Sequence, residues 1–149
     1  MAGNTPLELE KFLPYQLSVL SNTVSQAIAR EYADRFQLSI TQWRVVAVLG
    51  RYDGLSAREV AERTAMDKVA VSRAVAELMK DGRVRRATAD HDKRQSVLSL
   101  TAKGKKVHAE VAPLALEHER RLLAHLDADE QRWLGQIIDK LLKAGRALA

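Results

Sequence analysis

Eight cationic side chains crowd into residues 83–106: Arg83, Arg85, Arg86, Lys93, Arg94, Lys103, Lys105 and Lys106. Only Asp90 and Asp92 oppose them there. Guanidinium and ammonium groups at this density can bind phosphates, and an arginine can also donate two parallel hydrogen bonds to a guanine edge. Residues 51–106 carry 14 Lys/Arg against 8 Asp/Glu, and the remainder carries 10 against 11, so the net charge of +5 is concentrated in one central segment. A basic stretch on a near-neutral scaffold is the electrostatic footprint of a nucleic-acid contact, although a solvated surface face has the same composition.

No catalytic arrangement accompanies these cations. G-x-S-x-G, a P-loop, H-E-x-x-H and a glycine-rich dinucleotide turn are all missing from the 149 residues. Asp127 and Asp129 are a carboxylate pair, but at a predicted helix start, where they complement the helix dipole rather than act as acid and base. The chain has no cysteine, hence no disulfide framework, thiolate metal site or thiol redox sensor. His118 and His125 are seven residues apart and His108 precedes His118 by ten, so no pair has i,i+4 spacing; they read as interface or surface histidines rather than zinc ligands. No cofactor or metal is expected.

The elements that must position the cations are mostly helices. Leu13, Leu17, Leu20, Val24 and Ile28 recur at three- and four-residue steps, predicting an amphipathic helix to about Phe36. Ser39-Ile-Thr-Gln42 is a capping box opening a second helix through Trp43–Arg51, and Asp53-Gly54 breaks it. Ser56-Ala-Arg-Glu59 is another capping box, for a short helix to Thr64; Asp67 is placed to cap the next, which Asp81-Gly82 ends near Lys80. Val84–Thr88 and Gln95–Leu100 flank the polar residues 89–94 and read as a hairpin, with Leu98 and Leu100 on the inner face. Thr101 is a cap for a long helix to about Leu126, interrupted chemically by Pro113, with Val107, Val111, Leu114, His118 and Leu122 along one stripe. Asp127 starts a last helix banded by Trp133/Leu134, Ile137/Ile138 and Leu141/Leu142. The first ten residues and the last few are expected to fray.

A short helix, a turn, a second helix and a basic hairpin make a winged helix-turn-helix. At 100° per residue Val71, Val75 and Leu78 point inward, leaving Val69, Arg73, Ala76 and Lys80 outside with Ser72 alongside. That outer face is small near its N-terminus, so the backbone can approach DNA. Arg73 suits guanine, Ser72 a base edge or phosphate, Val69 a thymine methyl, and Lys68 with the helix N-terminus a phosphate.

The residues Leu55-Ser-Ala-Arg-Glu-Val60, Val71-Ser-Arg73, Gly82-x-Val84-x-Arg86, Asp92-Lys-Arg94 and Leu98-Ser-Leu-Thr-Ala-Lys-Gly104 together resemble the MarR family of bacterial transcription regulators. The likeness runs from about residue 12 to 145, and Asp-x-Arg followed by Leu-Thr-x-x-Gly is its most specific part. It implies a mainly α fold with a small β-hairpin wing. Residues 37–104 would form the winged helix-turn-helix DNA-binding lobe; residues 1–36 and 105–149 would supply the N- and C-terminal dimerisation helices. Arg94 falls on the family's wing arginine, which enters the minor groove, and Asp92 on the residue that orients it. A narrow minor groove concentrates negative potential, which independently favours an arginine there. The expected DNA contacts are Ser56, Lys68, Val69, Ser72, Arg73, Ala76, Arg86, Asp92, Lys93 and Arg94.

Broad apolar stripes on the two terminal helical regions, with little chain left to cover them, predict a homodimer. The partners expected are double-stranded operator DNA, a second copy, and a small aromatic acid or its coenzyme A thioester as effector. Tyr15 and Trp43 would supply the walls of the effector pocket and Arg44 its cation, although Trp43 in an apolar helix is also consistent with simple core packing. The missing cysteine excludes the peroxide-sensing branch of the family. The function expected is a ligand-responsive regulator, a repressor of aromatic-compound catabolism or efflux genes, on a pseudo-palindromic operator. The alternatives are a metal-responsive regulator of the same fold, a sequence-neutral architectural DNA protein, and a carrier or enzyme that kept the fold but lost DNA binding. MAGNTPLELEKF lacks a signal-sequence pattern and the apolar runs are far shorter than the roughly 20 residues of a membrane span, so a cytoplasmic location is expected.

Overall fold

In the computed structural model, residues 3, 5–89 and 92–149 are described, with side chains for all of these except 89 and 92–95. A 3-10 turn, Leu9–Lys11, precedes helices α1 (Leu13–Phe36), α2 (Ile40–Arg51), α3 (Ala57–Thr64) and α4 (Lys68–Lys80). Strands β1 (Val84–Ala89) and β2 (Asp92–Leu100) follow, then α5 (Ala102–Leu123) and α6 (Ala128–Leu148). Two units are distinguished, Met1–Leu114 and Ala115–Ala149. No helix among the described residues is long and apolar enough to cross a membrane.

Local chemistry sets most helix limits. Both capping boxes close: Ser39 accepts from the Gln42 N–H and Ser56 from the Glu59 N–H, each at 3.1 Å, with the return bonds at 3.0 and 3.2 Å. Asp127 and Glu130 form a third at the start of α6. Replacing Ser56 by Ala orphans one N–H of α3. It is expected to cost about 1 kcal/mol, lowering the melting midpoint by roughly 3 °C in a calorimetric scan. Gly82 takes φ +74 after α4, the left-handed turn that alanine would resist.

Asp67 is a correction. It holds the N-cap position of α4, yet its side chain makes no capping bond. Leu9–Lys11 are wound into a turn at the end of the stretch expected to fray, while α6 runs on to Leu148 and α5 stops at Leu123 rather than Leu126. Pro113 lies within α5 and supplies no N–H, so the Ala109 carbonyl has no helical donor there.

The core belongs to the first unit. Val45, Val46 and Leu49 of α2, Val60 of α3, Val71, Val75 and Leu78 of α4, and Leu98 and Leu100 of β2 are buried with Tyr32, Phe36, Val107 and Val111. This is the inward stripe predicted for α4. On α1 the apolar stripe divides: Leu13, Leu17 and Leu20 are exposed, Val24 is half-buried, Ile28, Ala29 and Ala33 pack against the core, and Tyr32 and Phe36 are buried in it. In the second unit α6 buries none of its residues.

The hairpin differs from its expected limits. β2 begins at Asp92 rather than Gln95, and the register runs Val84↔Leu100, Arg86↔Leu98 and Thr88↔Ser96 before jumping to Ala89↔Asp92. Polar residues do not prevent pairing, because the ladder is made by backbone groups. One step on β1 thus matches four on β2, an irregularity in the ladder next to the tip. Leu55 adds a bridge to Leu98 through bonds of 2.7 and 3.2 Å, tying the wing base to the α2–α3 connection.

Candidate nucleic-acid interface

The pair α3–α4 turns through Ala65, which adopts φ 54 as C-cap of α3. With Val71, Ala74, Val75 and Leu78 buried, the geometry of α4 leaves Lys68, Val69, Ser72, Arg73, Ala76 and Lys80 in solvent. Val69 is 62% exposed, a surface valine with no core to fill. Among the described residues Arg73 makes no hydrogen bond or ion pair. Ser56 stands half-buried at the start of α3, its hydroxyl engaged as the cap.

The wing follows directly from the end of α4. The Arg83 N–H donates to the Leu78 carbonyl at 2.9 Å, so the end of α4 and the start of β1 are fastened together. Arg85 and Arg86 are exposed on β1. The backbone of Asp92, Lys93 and Arg94 lies in β2, in the stretch where the register jumps, and not in a loop as the residue pattern suggested; their side chains lie outside the described residues, as do Asp90 and His91 entirely.

Two of the eight central cations do different work. Arg83 is only 8% exposed; its guanidinium donates to the carbonyls of Phe36 and Gln37, the free carbonyls at the end of α1. Lys103 Nζ donates to the Asp81 carbonyl at 2.7 Å and so caps α4 from α5. Charge counting treats both as surface cations.

The expected effector residues separate. Trp43 packs on Tyr32 and on His108, each with ring centroids 5.9 Å apart, and Arg44 donates to Ser25 Oγ at 3.1 Å. Tyr32 is 1% exposed, and burial raises its hydroxyl pKa against the opposing pull of Arg44. Tyr15 lies elsewhere, lining a cavity of about 360 Å3 with Gln16, Val19 and Leu20. Ser25 lies ten positions further along α1, about 15 Å at the helical rise. The residue that sequence reasoning missed is Tyr32, the aromatic neighbour of Trp43. His108 also borders a 240 Å3 cavity with Gly50, Asp53 and Lys105. Among the described residues no cluster of histidine and acidic side chains is suited to a metal ion.

An arginine-bearing second helix with one face in solvent, packed by its other face on the core with α2 and α3 and followed by a basic hairpin, defines a DNA-binding winged helix-turn-helix protein. A sequence profile of the MarR family matches residues 36–95. The HTH-type transcriptional regulator BilQ of Clostridium symbiosum is 32% identical over 102 residues, 68% of this chain and 71% of its own length. The chain belongs to the MarR family and is a transcriptional regulator. The homoprotocatechuate degradative operon repressor of Escherichia coli is 22% identical over 118 residues, covering 79% of this chain and 80% of its own. A MarR/EmrR family regulator from Acinetobacter sp. ADP1 superposes with a TM-score of 0.85 at 24% identity, over 95% of this chain and 99% of that one.

Proposed function

We propose that the protein is a cytoplasmic homodimeric repressor that binds a pseudo-palindromic operator and releases it on binding an aromatic acid. The observation that carries the DNA reading is the uncommitted Arg73 on the solvent face of α4, with the basic wing anchored at the end of the same helix. α4 enters the major groove. Val69, Ser72, Arg73 and Ala76 meet base edges, while Ser56, Lys68 and Arg86 meet phosphates. Arg94, oriented by Asp92 and flanked by Lys93, reaches the minor groove from the wing.

Residues 1–36 and 105–149 serve as the dimerisation region. Support comes separately from each unit: Leu13, Leu17 and Leu20 are exposed on α1, and Trp133, Ile137 and Leu142 are more than half or about half exposed on α6. A second copy is the partner that would cover such stripes. The activity is binding alone, with no chemical step.

Arg73→Ala and Arg94→Ala test the DNA reading, using a duplex selected in vitro from random sequence by the wild-type protein. Each is expected to weaken binding in a gel-shift titration by at least about tenfold, Arg73→Ala with lost base discrimination at one position per half-site. Wild-type affinity is expected to fall by several powers of ten between 50 and 200 mM salt if roughly eight phosphates are contacted. Failure to select any preferred duplex would favour an architectural protein, and no salt-sensitive binding at all would remove the DNA function.

For the effector we infer an aromatic acid or its thioester, held by Trp43 and Arg44, with the buried Tyr32 packed behind Trp43. The name of the Escherichia coli relative supports this class of compound. Calorimetric titration with homoprotocatechuate and simple benzoates is expected to show binding that Arg44→Ala weakens. Equal binding by that variant would remove Arg44 from the site.

A further inference from the structure

The solvent face of α4 carries one acid. Glu77 follows Arg73 by four residues, the spacing that sets two side chains one above the other on a helix and invites an ion pair. That pair does not form. Glu77 Oε2 instead accepts from Nε2 of Gln42 on α2 at 2.5 Å, while Arg73 stays uncommitted. Arg73 and Glu77 border the same 190 Å3 cavity, closed on the α2 side by Ser39 and Thr41.

Gln42 can make this bond only one way round. Its side chain is 8% exposed, and its Oε1 already accepts the Ser39 N–H at 3.0 Å as the return half of the α2 capping box. The oxygen end is thereby assigned, so the NH2 end must face α4 and needs an acceptor there. The Glu77 carboxylate is that acceptor. Glutamate closes a capping box as well as glutamine does, but at position 42 it would set a second carboxylate against Glu77. The choice of an amide at residue 42 therefore answers to α4 and not to the cap.

We propose that Gln42 is a positioning residue for DNA readout: by holding Glu77 against α2 it keeps the Arg73 guanidinium free for the duplex. The proposal rests on the reading that α4 enters a major groove with Arg73 at a base edge. Were Glu77 released, Arg73 would have to surrender an ion pair before bonding guanine, and a loose carboxylate would face the phosphates.

The test compares full-length variants on the selected duplex, with folding checked by circular dichroism. Gln42→Glu retains the cap acceptor while repelling Glu77; Gln42→Met releases Glu77 without repulsion. Each is expected to weaken binding by about tenfold, with base discrimination lost at the same operator position that Arg73→Ala affects. Gln42→Glu with Glu77→Gln exchanges donor and acceptor at unchanged net charge and is expected to bind within about twofold of wild type. Adding Glu77→Gln to Gln42→Met is expected to restore the same base discrimination. Wild-type affinity in Gln42→Met, no recovery in the exchanged pair, or an even loss at every operator position would each overturn the proposal. If Arg73→Ala itself changes nothing, the reading of α4 falls. If Arg73→Ala costs discrimination and the Gln42 variants do not, only the role of Gln42 falls.

Discussion

Leu141→Asp on α6 is expected to yield a folded monomer whose operator affinity is lower by about 10²- to 10⁴-fold. The folded state should survive because, among the described residues, every buried apolar side chain lies between Tyr32 and Val111, outside α6. On α6 the band Trp133, Leu134, Ile137, Ile138, Leu141 and Leu142 is 38–53% exposed. A contiguous apolar surface of that kind is rare on a monomer and common at an interface. A carboxylate forced into such an interface loses its hydration without a partner, at several kcal/mol, and the same change on a solvent-facing surface costs almost nothing. The large effect on DNA arises because two linked lobes bind with an effective local concentration that a single lobe lacks. Light scattering after gel filtration reads the oligomeric state, and a gel shift reads the affinity. A variant that remains dimeric would remove α6 from the interface, and a monomeric wild type would remove the dimer.

Gly104→Ala is expected to destabilise the first unit by about 3 kcal/mol in urea titration, at the upper end of overpacking effects. In an open helix the same change would gain roughly 1 kcal/mol, so the surroundings decide the sign. A Cβ on Gly104 would lie 2.1 Å from the Arg83 carbonyl oxygen, 3.0 Å from its carbon and 3.2 Å from Leu100 Cδ2. The carbonyl cannot swing away cheaply, because it accepts from the Thr101 N–H at 3.0 Å while the Arg83 side chain holds the end of α1. Gly135 on α6 is the control: a Cβ there would meet nothing within 4 Å, and alanine should be neutral or stabilising by up to about 1 kcal/mol. Equal stability of Gly104→Ala and wild type would mean that α5 and the wing base can part without cost.

Much of the solvent-facing side of α4 and of the helix starts around it was legible from the chain. Ser39 and Ser56 announce α2 and α3 through oxygen acceptors three residues from the N–H groups they satisfy. The outward position of Arg73 follows from helical periodicity once Val71, Val75 and Leu78 are buried. Legibility failed where a polar group had several places to go. Arg83 looked like one more surface cation, but its neighbours include the unsatisfied carbonyls at the end of α1, which no local pattern reveals. Asp67 had the residue type of a cap without making the bond. Tyr15 and Trp43 are both aromatic, yet the rings beside Trp43 are those of Tyr32 and His108, not Tyr15.

The amino-acid order alone determined the succession of helices and hairpin, the capped helix starts and the side of α4 that meets solvent. Each depends on contacts within a turn or two, where covalent geometry already places the partners. Only the tertiary structure decided that Gln42 reaches Glu77, Arg44 reaches Ser25 and Arg83 reaches Phe36. Those partners lie 19 to 47 positions apart, and which of many possible acceptors a buried donor meets is settled by how the helices pack.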